Sequence, residues 1–303
     1  MRAALILLLP AVGFAISASP AHAESYYLIV GGLGGEPLYE EQFQNHTAAL
    51  AAVARRTAGN EARVTVLTGE GASREALEKS LVSLSGKAKA ADTLAVFLVG
   101  HGSFDGDAYK LNLPGPDIDG EELGRLLAAV PARSQLIVNA TSASGAVLET
   151  WAADGRTVIT ATRSGFERNA TRFAEHWAAA LSSEAADINK NGVITAQEAF
   201  DYASRAVADS FESEGTLATE HPQLAGDTAA RFNVARLQAQ PVATPALERL
   251  NAQLQTIEGQ LDELRARRAQ MEPDAYLNEL QELLVQLALV QRQIDDAQGA
   301  VQR

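Results

Sequence analysis

The sequence predicts a three-layer α/β fold in which helices cover both faces of a mainly parallel sheet. Five short runs of apolar and β-branched residues have the pattern of strands buried on both faces, and they cover residues 26–30, 64–67, 94–99, 136–138 and 157–160. Sequence rich in alanine and charged residues separates or follows most of them, and it predicts helices at about 40–57, 74–89, 120–129 and 168–182. Because strand and helix largely alternate, the strands are expected to be parallel.

The amino terminus has the pattern of a secretory signal peptide. Arg2 precedes an apolar stretch over residues 3–16, and Ala21-His22-Ala23 is the small-x-small pattern that signal peptidases cut. Residues 1–23 are therefore expected to be removed, which leaves a periplasmic or secreted protein. An uncleaved membrane anchor is the alternative. No later stretch approaches about 20 uninterrupted apolar residues, so we expect no membrane span in the mature chain.

The composition excludes several classes of chemistry and partner. The chain contains no cysteine, which rules out disulfides, thiolate metal sites and a cysteine nucleophile. Its formal net charge is −13, and loss of Arg2 with the signal peptide leaves 24 basic residues against 38 acidic ones, or −14. A surface this acidic repels nucleic acid and anionic lipid, so we expect no nucleic-acid partner.

Residues 241–303 are predicted to form a helical hairpin, after an α/β domain at 24–240. Apolar residues recur there at alternating spacings of three and four, the heptad pattern of coiled coils, in two series: Leu247, Leu250, Leu254, Ile257, Leu261 and Leu264, then Tyr276, Leu280, Leu283, Leu287, Val290 and Ile294. Pro273 is expected in the first turn of the second helix. The hairpin either packs on the α/β domain or binds a partner, including a second copy of the chain.

In parallel sheets, ligands and catalytic groups gather at the carboxyl ends of the strands. The loops expected at those ends are 31–37, 100–118, 139–146 and 161–168. The first contains Gly31-Gly32-Leu33-Gly34-Gly35, but it lacks the Lys-Ser/Thr pair of a P-loop and the full dinucleotide-binding spacing. We therefore interpret it as a tight turn.

The residues that indicate a candidate catalytic site follow two of the predicted strands. The third predicted strand ends in Val99-Gly100-His101-Gly102-Ser103, and the fourth in Asn139-Ala140-Thr141-Ser142-Ala143-Ser144-Gly145. This arrangement resembles the caspase and legumain clan of cysteine peptidases over about residues 25–235. The resemblance implies a caspase-like fold and a peptidase site. In that site His101 matches the family's histidine, Gly102 the glycine that helps form the oxyanion hole, and Ser142 the catalytic cysteine.

The sequence departs from that family at the nucleophile. A serine hydroxyl needs strong general-base activation, whereas a thiol with a pKa of about 8.5 already supplies some thiolate. The acidic residue that the family has two positions before the nucleophile is also missing, since Ala140 stands there. Asp105 and Asp107 are near His101 in sequence, but neither is a convincing partner for its ring. We therefore expect a pseudopeptidase that binds a peptide or protein.

Two other functions remain open. The chain is a hydrolase if Ser142 and His101 form a working dyad. It is an assembly protein if the C-terminal hairpin drives oligomerisation.

Arg163 follows the fifth predicted strand, where the resemblance places the substrate pocket. Its guanidinium is suited to an acidic group or a peptide carboxylate, so we expect a role in ligand binding. The alternative is a surface ion pair with the nearby Glu167.

Residues 187–198 match a complete EF-hand calcium loop. Oxygen-bearing side chains, one backbone carbonyl, a glycine at the turn and a final glutamate occur at the required spacing, and the ligands are expected to be Asp187, Asn189, Asn191, Val193, Thr195 and Glu198. Because only the first and last of these are charged, binding is expected to be weak and structural. The alternative is a capping box, in which Thr195 and Glu198 begin a helix at 196–209 without an ion.

Overall fold

The computed structural model describes residues 23–238 and 245–301, so the predicted signal peptide lies outside the described residues except for Ala23. A central sheet contains six strands: β1 (Ser25–Gly31), β2 (Val64–Leu67), β3 (Thr93–Val99), β7 (Ser134–Asn139), β8 (Arg156–Thr160) and β10 (Gln223–Ala225). Their order across the sheet is β10-β8-β7-β3-β1-β2. All neighbouring pairs are parallel except β10, which runs antiparallel to β8. The first five strands are those predicted from the sequence.

Helices cover both faces of this sheet. One face packs against α1 (Pro37–Ala58), α5 (Phe173–Ala180) and α6 (Ala196–Glu214), and the other against α2 (Arg74–Lys87), α3 (Gly120–Ala128) and α4 (Leu148–Trp151). Successive side chains of a strand point to opposite faces, so Phe97 of β3 joins the first layer and Leu98 joins the second. Burial on both faces explains the near-continuous apolar runs of the strands. The predicted three-layer fold is confirmed.

Several short strands were not predicted. Residues 100–118, interpreted as a loop, contain an antiparallel sheet of β4 (Gly102–Phe104), β5 (Tyr109–Leu111) and β6 (Ile118–Asp119). Elsewhere, β9 (Val193–Thr195) pairs with β11 (Asn233–Arg236), and β10 also lies outside the predicted elements. The loop interpretation of 100–118 is therefore wrong. Strands of two to four residues are too short to show a periodic pattern, and they depend on their pairing partners.

The C-terminal residues form two helices that fold back on each other, α7 (Pro245–Arg267) and α8 (Pro273–Val301). Their apolar seam buries Ile257, Leu261, Leu264 and Leu283, with Met271, Tyr276, Leu280, Leu287 and Val290 packed around them. Pro273 is the first residue of α8, as predicted, where its missing N–H costs little. Near the turn, Arg267 and Glu279 form an ion pair of 3.1 Å. No helix among the described residues is long and apolar enough to cross a membrane.

The division into an α/β domain and a separate hairpin stays a prediction, which truncation tests. We expect residues 24–240 to keep a cooperative thermal transition by circular dichroism, because both core layers are built from residues before 238. In the full chain, Leu264→Asp should unfold the hairpin alone, since loss of a buried leucine costs about 2–5 kcal/mol. The exposed Gln260→Asp is the matched control. A truncated chain without a cooperative transition would place the hairpin in the core.

Candidate functional site

The parallel register of β3 and β7 brings the two predicted site segments together. Leu98 pairs with Asn139 at the end of the ladder, so His101-Gly102 and Thr141-Ser142 leave the sheet side by side. A Cβ atom on Gly102 would collide with the carbonyl oxygen of Ser142. Only glycine allows the two segments to approach this closely.

The His101 ring is half-buried against the first turns of α1. Its edge-on contacts are with Tyr39 and Phe43, at ring-centroid distances of 4.8 and 5.0 Å. Burial lowers the pKa of His101, while a hydrogen bond to the Gly34 backbone and the charge of Glu36 oppose the shift. The surroundings therefore favour the neutral imidazole.

Ser142 lies beside His101 but is not joined to it. The residue is only 3% exposed, and its Oγ has no hydrogen-bond partner in the described part of the chain. The next residue, Ala143, has a left-handed backbone with a φ of 57°, and its N–H donates to the Glu167 carbonyl at 2.8 Å. The fold thus brings His101, Gly102 and Ser142 to one edge without a hydrogen-bonded dyad.

A buried hydrogen-bond network holds the end of β7. The Tyr109 hydroxyl lies 2.7 Å from Thr141 Oγ1, which donates to Asn139 Oδ1 at 2.8 Å. Burial raises the pKa of Tyr109 to about 12, so its hydroxyl stays protonated at neutral pH. The network anchors the residue that precedes Ser142.

Arg163 forms the ion pair that was the alternative to ligand binding. Its Nε lies 3.0 Å from Glu167 Oε1, and the same carboxylate oxygen lies 2.6 Å from His221 Nδ1. Glu167 Oε2 accepts the His221 backbone N–H at 3.2 Å. Glu167 therefore ties the segment after β8 to the segment before β10. The Arg163 side chain stays exposed, and its role in ligand binding stays a prediction.

Glu220 is a buried carboxyl that the sequence analysis missed. Its Oε1 accepts the Arg172 N–H at the start of α5, at 2.7 Å, while its Oε2 is buried and unpaired among the described residues. Burial raises the pKa of Glu220 to about 7. Glu220 and His221 precede β10, and the sequence offered no signal for them because that strand was not predicted.

Several exposed apolar side chains belong to segments at or next to the same edge. Within residues 23–238, six large apolar side chains are exposed. Leu33 and Phe166 are in segments that follow β1 and β8, Leu38 is the second residue of α1, and Leu217 is in the segment between α6 and β10. Phe166 is 70% exposed, and its ring meets Phe104 edge-on at a centroid distance of 5.4 Å. Exposed apolar residues gathered in one region are typical of an interaction surface. Each is isolated in the sequence, so no sequence pattern marks them.

In the predicted calcium loop, the carboxylates of Asp187 and Glu198 are buried and accept hydrogen bonds from backbone N–H groups of the same loop. Asp187 Oδ2 accepts the Gly192 N–H at 2.8 Å, and Glu198 Oε1 accepts the Ile188 N–H at 3.2 Å. Gly192 has a φ of 77°, which permits the sharp turn. Asp187 and Glu198 are thus held at the joined ends of one loop. This arrangement fits two ligands of a single ion.

The capping box that was the alternative to an ion is also present. Thr195 Oγ1 accepts the Glu198 N–H, and Glu198 Oε2 accepts the Thr195 N–H at 2.9 Å. The helix that follows, α6, extends past the predicted residue 209 to Glu214. Across residues 23–238 and 245–301 no cluster of three or more His, Asp or Glu suits a metal. Calcium in this loop would therefore need the Asn, Thr and carbonyl oxygens as well as the two carboxylates.

The predicted calcium loop is connected to the core through the β9–β11 pair. Arg236 of β11 accepts a hydrogen bond from Arg56 Nε at its carbonyl, at 2.7 Å, and donates its N–H to Thr57 Oγ1 at 3.0 Å. The Tyr27 hydroxyl of β1 donates to the Val234 carbonyl at 3.1 Å. The loop is therefore joined to both α1 and the central sheet.

Comparisons with known proteins give similarity in structure alone. A scan against models of protein families gives no match, and a search of curated proteins finds no similar sequence. Among solved structures, protein GSU0716 of Geobacter sulfurreducens is 12% identical, over 71% of this chain and 99% of its own, with a TM-score of 0.47. The Drosophila initiator caspase Dronc is 10% identical, over 70% of this chain and 81% of its own, with a TM-score of 0.44.

The raised pKa of Glu220 predicts that the stability of the fold depends on pH. Because burial raises the pKa of the Glu220 carboxyl from 4.5 to about 7, the folded chain binds the carboxyl proton more tightly than the unfolded chain does. The resulting stabilisation is complete below pH 4.5 and is lost as the pH rises through about 7. With calcium chelated, the free energy of unfolding should therefore fall by roughly 2–3 kcal/mol over this range, relative to Glu220→Gln. Urea unfolding of both proteins measures the difference, and identical pH profiles would contradict the prediction.

Proposed function

We propose that the chain is an exported caspase/legumain-like pseudopeptidase that binds an extended peptide at the carboxyl edge of its sheet. The observation that carries the proposal is the exposed apolar surface of Leu33, Leu38 and Phe166 on elements next to His101 and Ser142. His101 and Ser142 are not hydrogen-bonded to each other. Export is proposed from the signal-peptide pattern of residues 1–23.

The surroundings of Ser142 support binding over hydrolysis. A serine nucleophile needs a base within about 2.6–3.2 Å that removes its proton. The His101 ring instead packs on the aromatic rings of Tyr39 and Phe43, and its lowered pKa makes it a weaker base. Ser142 is therefore left without the activation that its hydroxyl requires.

The side chains around the site favour a peptide that carries an acidic residue beside an apolar one. Phe166 and Leu38 offer exposed apolar surface. Arg163 is engaged by Glu167 through Nε and is otherwise exposed, and Arg168 lies 5.7 Å from the centroid of the Phe166 ring. Both arginines are thus available to bind a carboxylate of the peptide, next to an apolar contact with Phe166. This local positive charge contrasts with the acidic protein as a whole.

An array of capped peptides that vary one acidic and one apolar position tests this proposal. We expect Phe166→Ser to weaken binding of the best peptide about tenfold, because its exposed ring supplies apolar contact. Val82→Ser on α2, which removes a similarly exposed side chain away from the site, is the matched control. Arg163→Gln should remove the preference for an acidic residue. Fluorescence polarisation measures each affinity. Equal losses in the Phe166 and Val82 variants would contradict the proposal.

The hydrolase alternative gives a different result with a serine-reactive phosphonate. A pseudopeptidase should leave Ser142 unlabelled in mass spectra of the treated protein. Labelling that reaches Ser142 and disappears in His101→Ala would instead establish the dyad.

We also propose that residues 187–198 bind one calcium ion in a structural role. The buried carboxylates of Asp187 and Glu198 support it, because a bound cation would neutralise two charges that burial disfavours. The link through β9 and β11 supports a structural role, since the ion would secure a segment bonded to α1 and β1. Calcium would contribute only charge and coordination here.

Calcium should raise the melting temperature of the α/β domain, because it binds the folded chain alone. Glu198→Gln should abolish most of the rise, since glutamine can keep the capping box but removes one of the two charged ligands. Glu212→Gln, on the exposed side of the same helix, is the matched control and should keep the full rise. Differential scanning calorimetry measures all three proteins. An undiminished rise in Glu198→Gln would place the calcium elsewhere.

A further inference from the structure

The outer face of α8 carries an apolar stripe that the hairpin does not cover. Four large side chains on it are 45–58% exposed: Leu277, Leu284, Val285 and Leu289. With Gln281 and Ala288, they repeat the spacings of three and four residues found in the seam toward α7. α8 therefore has two apolar stripes, and the hairpin uses only one of them.

α7 has no matching stripe among the side chains that the structure describes. Its outward-facing residues are polar or small, and they include Gln253, Thr256, Gly259 and Gln260. The exposed stripe is thus a property of one helix and not of the hairpin surface in general. An exposed stripe of large apolar side chains on one helix is typical of an interaction site.

The charges beside the stripe favour an antiparallel copy of the same helix. A two-fold axis at Val285 places Arg292 of one copy opposite Asn278 of the other, one helical turn from Glu282, and it places one like-charge pair, Asp274 and Asp296, at the ends of the helices. A parallel, in-register pair would instead bring each of these charges against its own copy, including Glu282 against Glu282 and Arg292 against Arg292. Like charges at such positions are destabilising.

We propose that two copies of the chain pair through antiparallel α8 helices, so that their hairpins form a four-helix bundle. Each α8 uses its inner seam for its own α7 and its outer stripe for the second copy. A lipid surface is a poorer occupant, because Asp274 and Glu282 flank the stripe and repel anionic headgroups. The proposal deepens the self-association alternative and does not depend on peptide binding.

The natural absence of cysteine makes disulfide cross-linking a direct test in the mature full-length chain. Val285→Cys lies at the proposed two-fold axis, so its two copies should come within disulfide reach and give a covalent dimer on mild oxidation. The two copies of Leu277→Cys should be about 24 Å apart and should stay monomeric on a non-reducing gel. Gln260→Cys, on the outer face of α7, is the exposed control. Efficient cross-linking through Leu277→Cys would show a parallel pair and overturn the proposal.

Molar mass from light scattering provides the second measurement. The unmodified chain should be a dimer at micromolar concentration, and Leu284→Lys should convert it to a monomer with unchanged helicity by circular dichroism. A monomeric unmodified chain, or a dimer that survives Leu284→Lys, would overturn the α8 interface. Phe166→Ser should remain dimeric and Leu284→Lys should still bind peptide. Failure of the α8 interface and failure of the peptide site are therefore read separately.

Discussion

The parallel pairing of β3 with β7 is the constraint on which the candidate site depends. Helices cover both faces of the sheet, so polar side chains from its strands can reach a ligand only where the strands end. The register that pairs Leu98 with Asn139 makes the two strands end together. Gly102 then lets the following segments touch, because any side chain at that position would collide with Ser142. The juxtaposition of His101 and Ser142 is thus a consequence of sheet packing.

Glu167 links the segments that follow neighbouring strands at this edge of the sheet. Its carbonyl accepts the N–H of Ala143, and its carboxylate contacts both Arg163 and His221. One residue therefore joins the ends of β7 and β8 to the start of β10. A ligand at this edge would meet segments whose positions are already set, which lowers the entropy lost on binding.

Helix α1 connects the two sites that we propose. Its amino-terminal turns present Tyr39 and Phe43 to the His101 ring, and its carboxyl-terminal turn holds β11 through Arg56 and Thr57. Because β11 pairs with β9 of the proposed calcium loop, an ion bound there would also secure the packing of α1. The helix that packs Tyr39 and Phe43 against His101 is therefore also the helix to which the proposed calcium loop is linked through β11.

The sequence by itself determined the elements whose signals are local. Buried strands show as apolar runs, the two C-terminal helices show as heptads, and Pro273 marks the first residue of α8. It also brought His101, Gly102 and Ser142 to one edge, because parallel strands end on the same side. Only the tertiary structure decided the short strands β4 to β6 and β9 to β11, and the contacts of Glu167 and Glu220. Glu167 meets His221 across 54 residues, and Glu220 meets Arg172 across 48. Such contacts follow from the packing of distant segments, and no local pattern of residues encodes them.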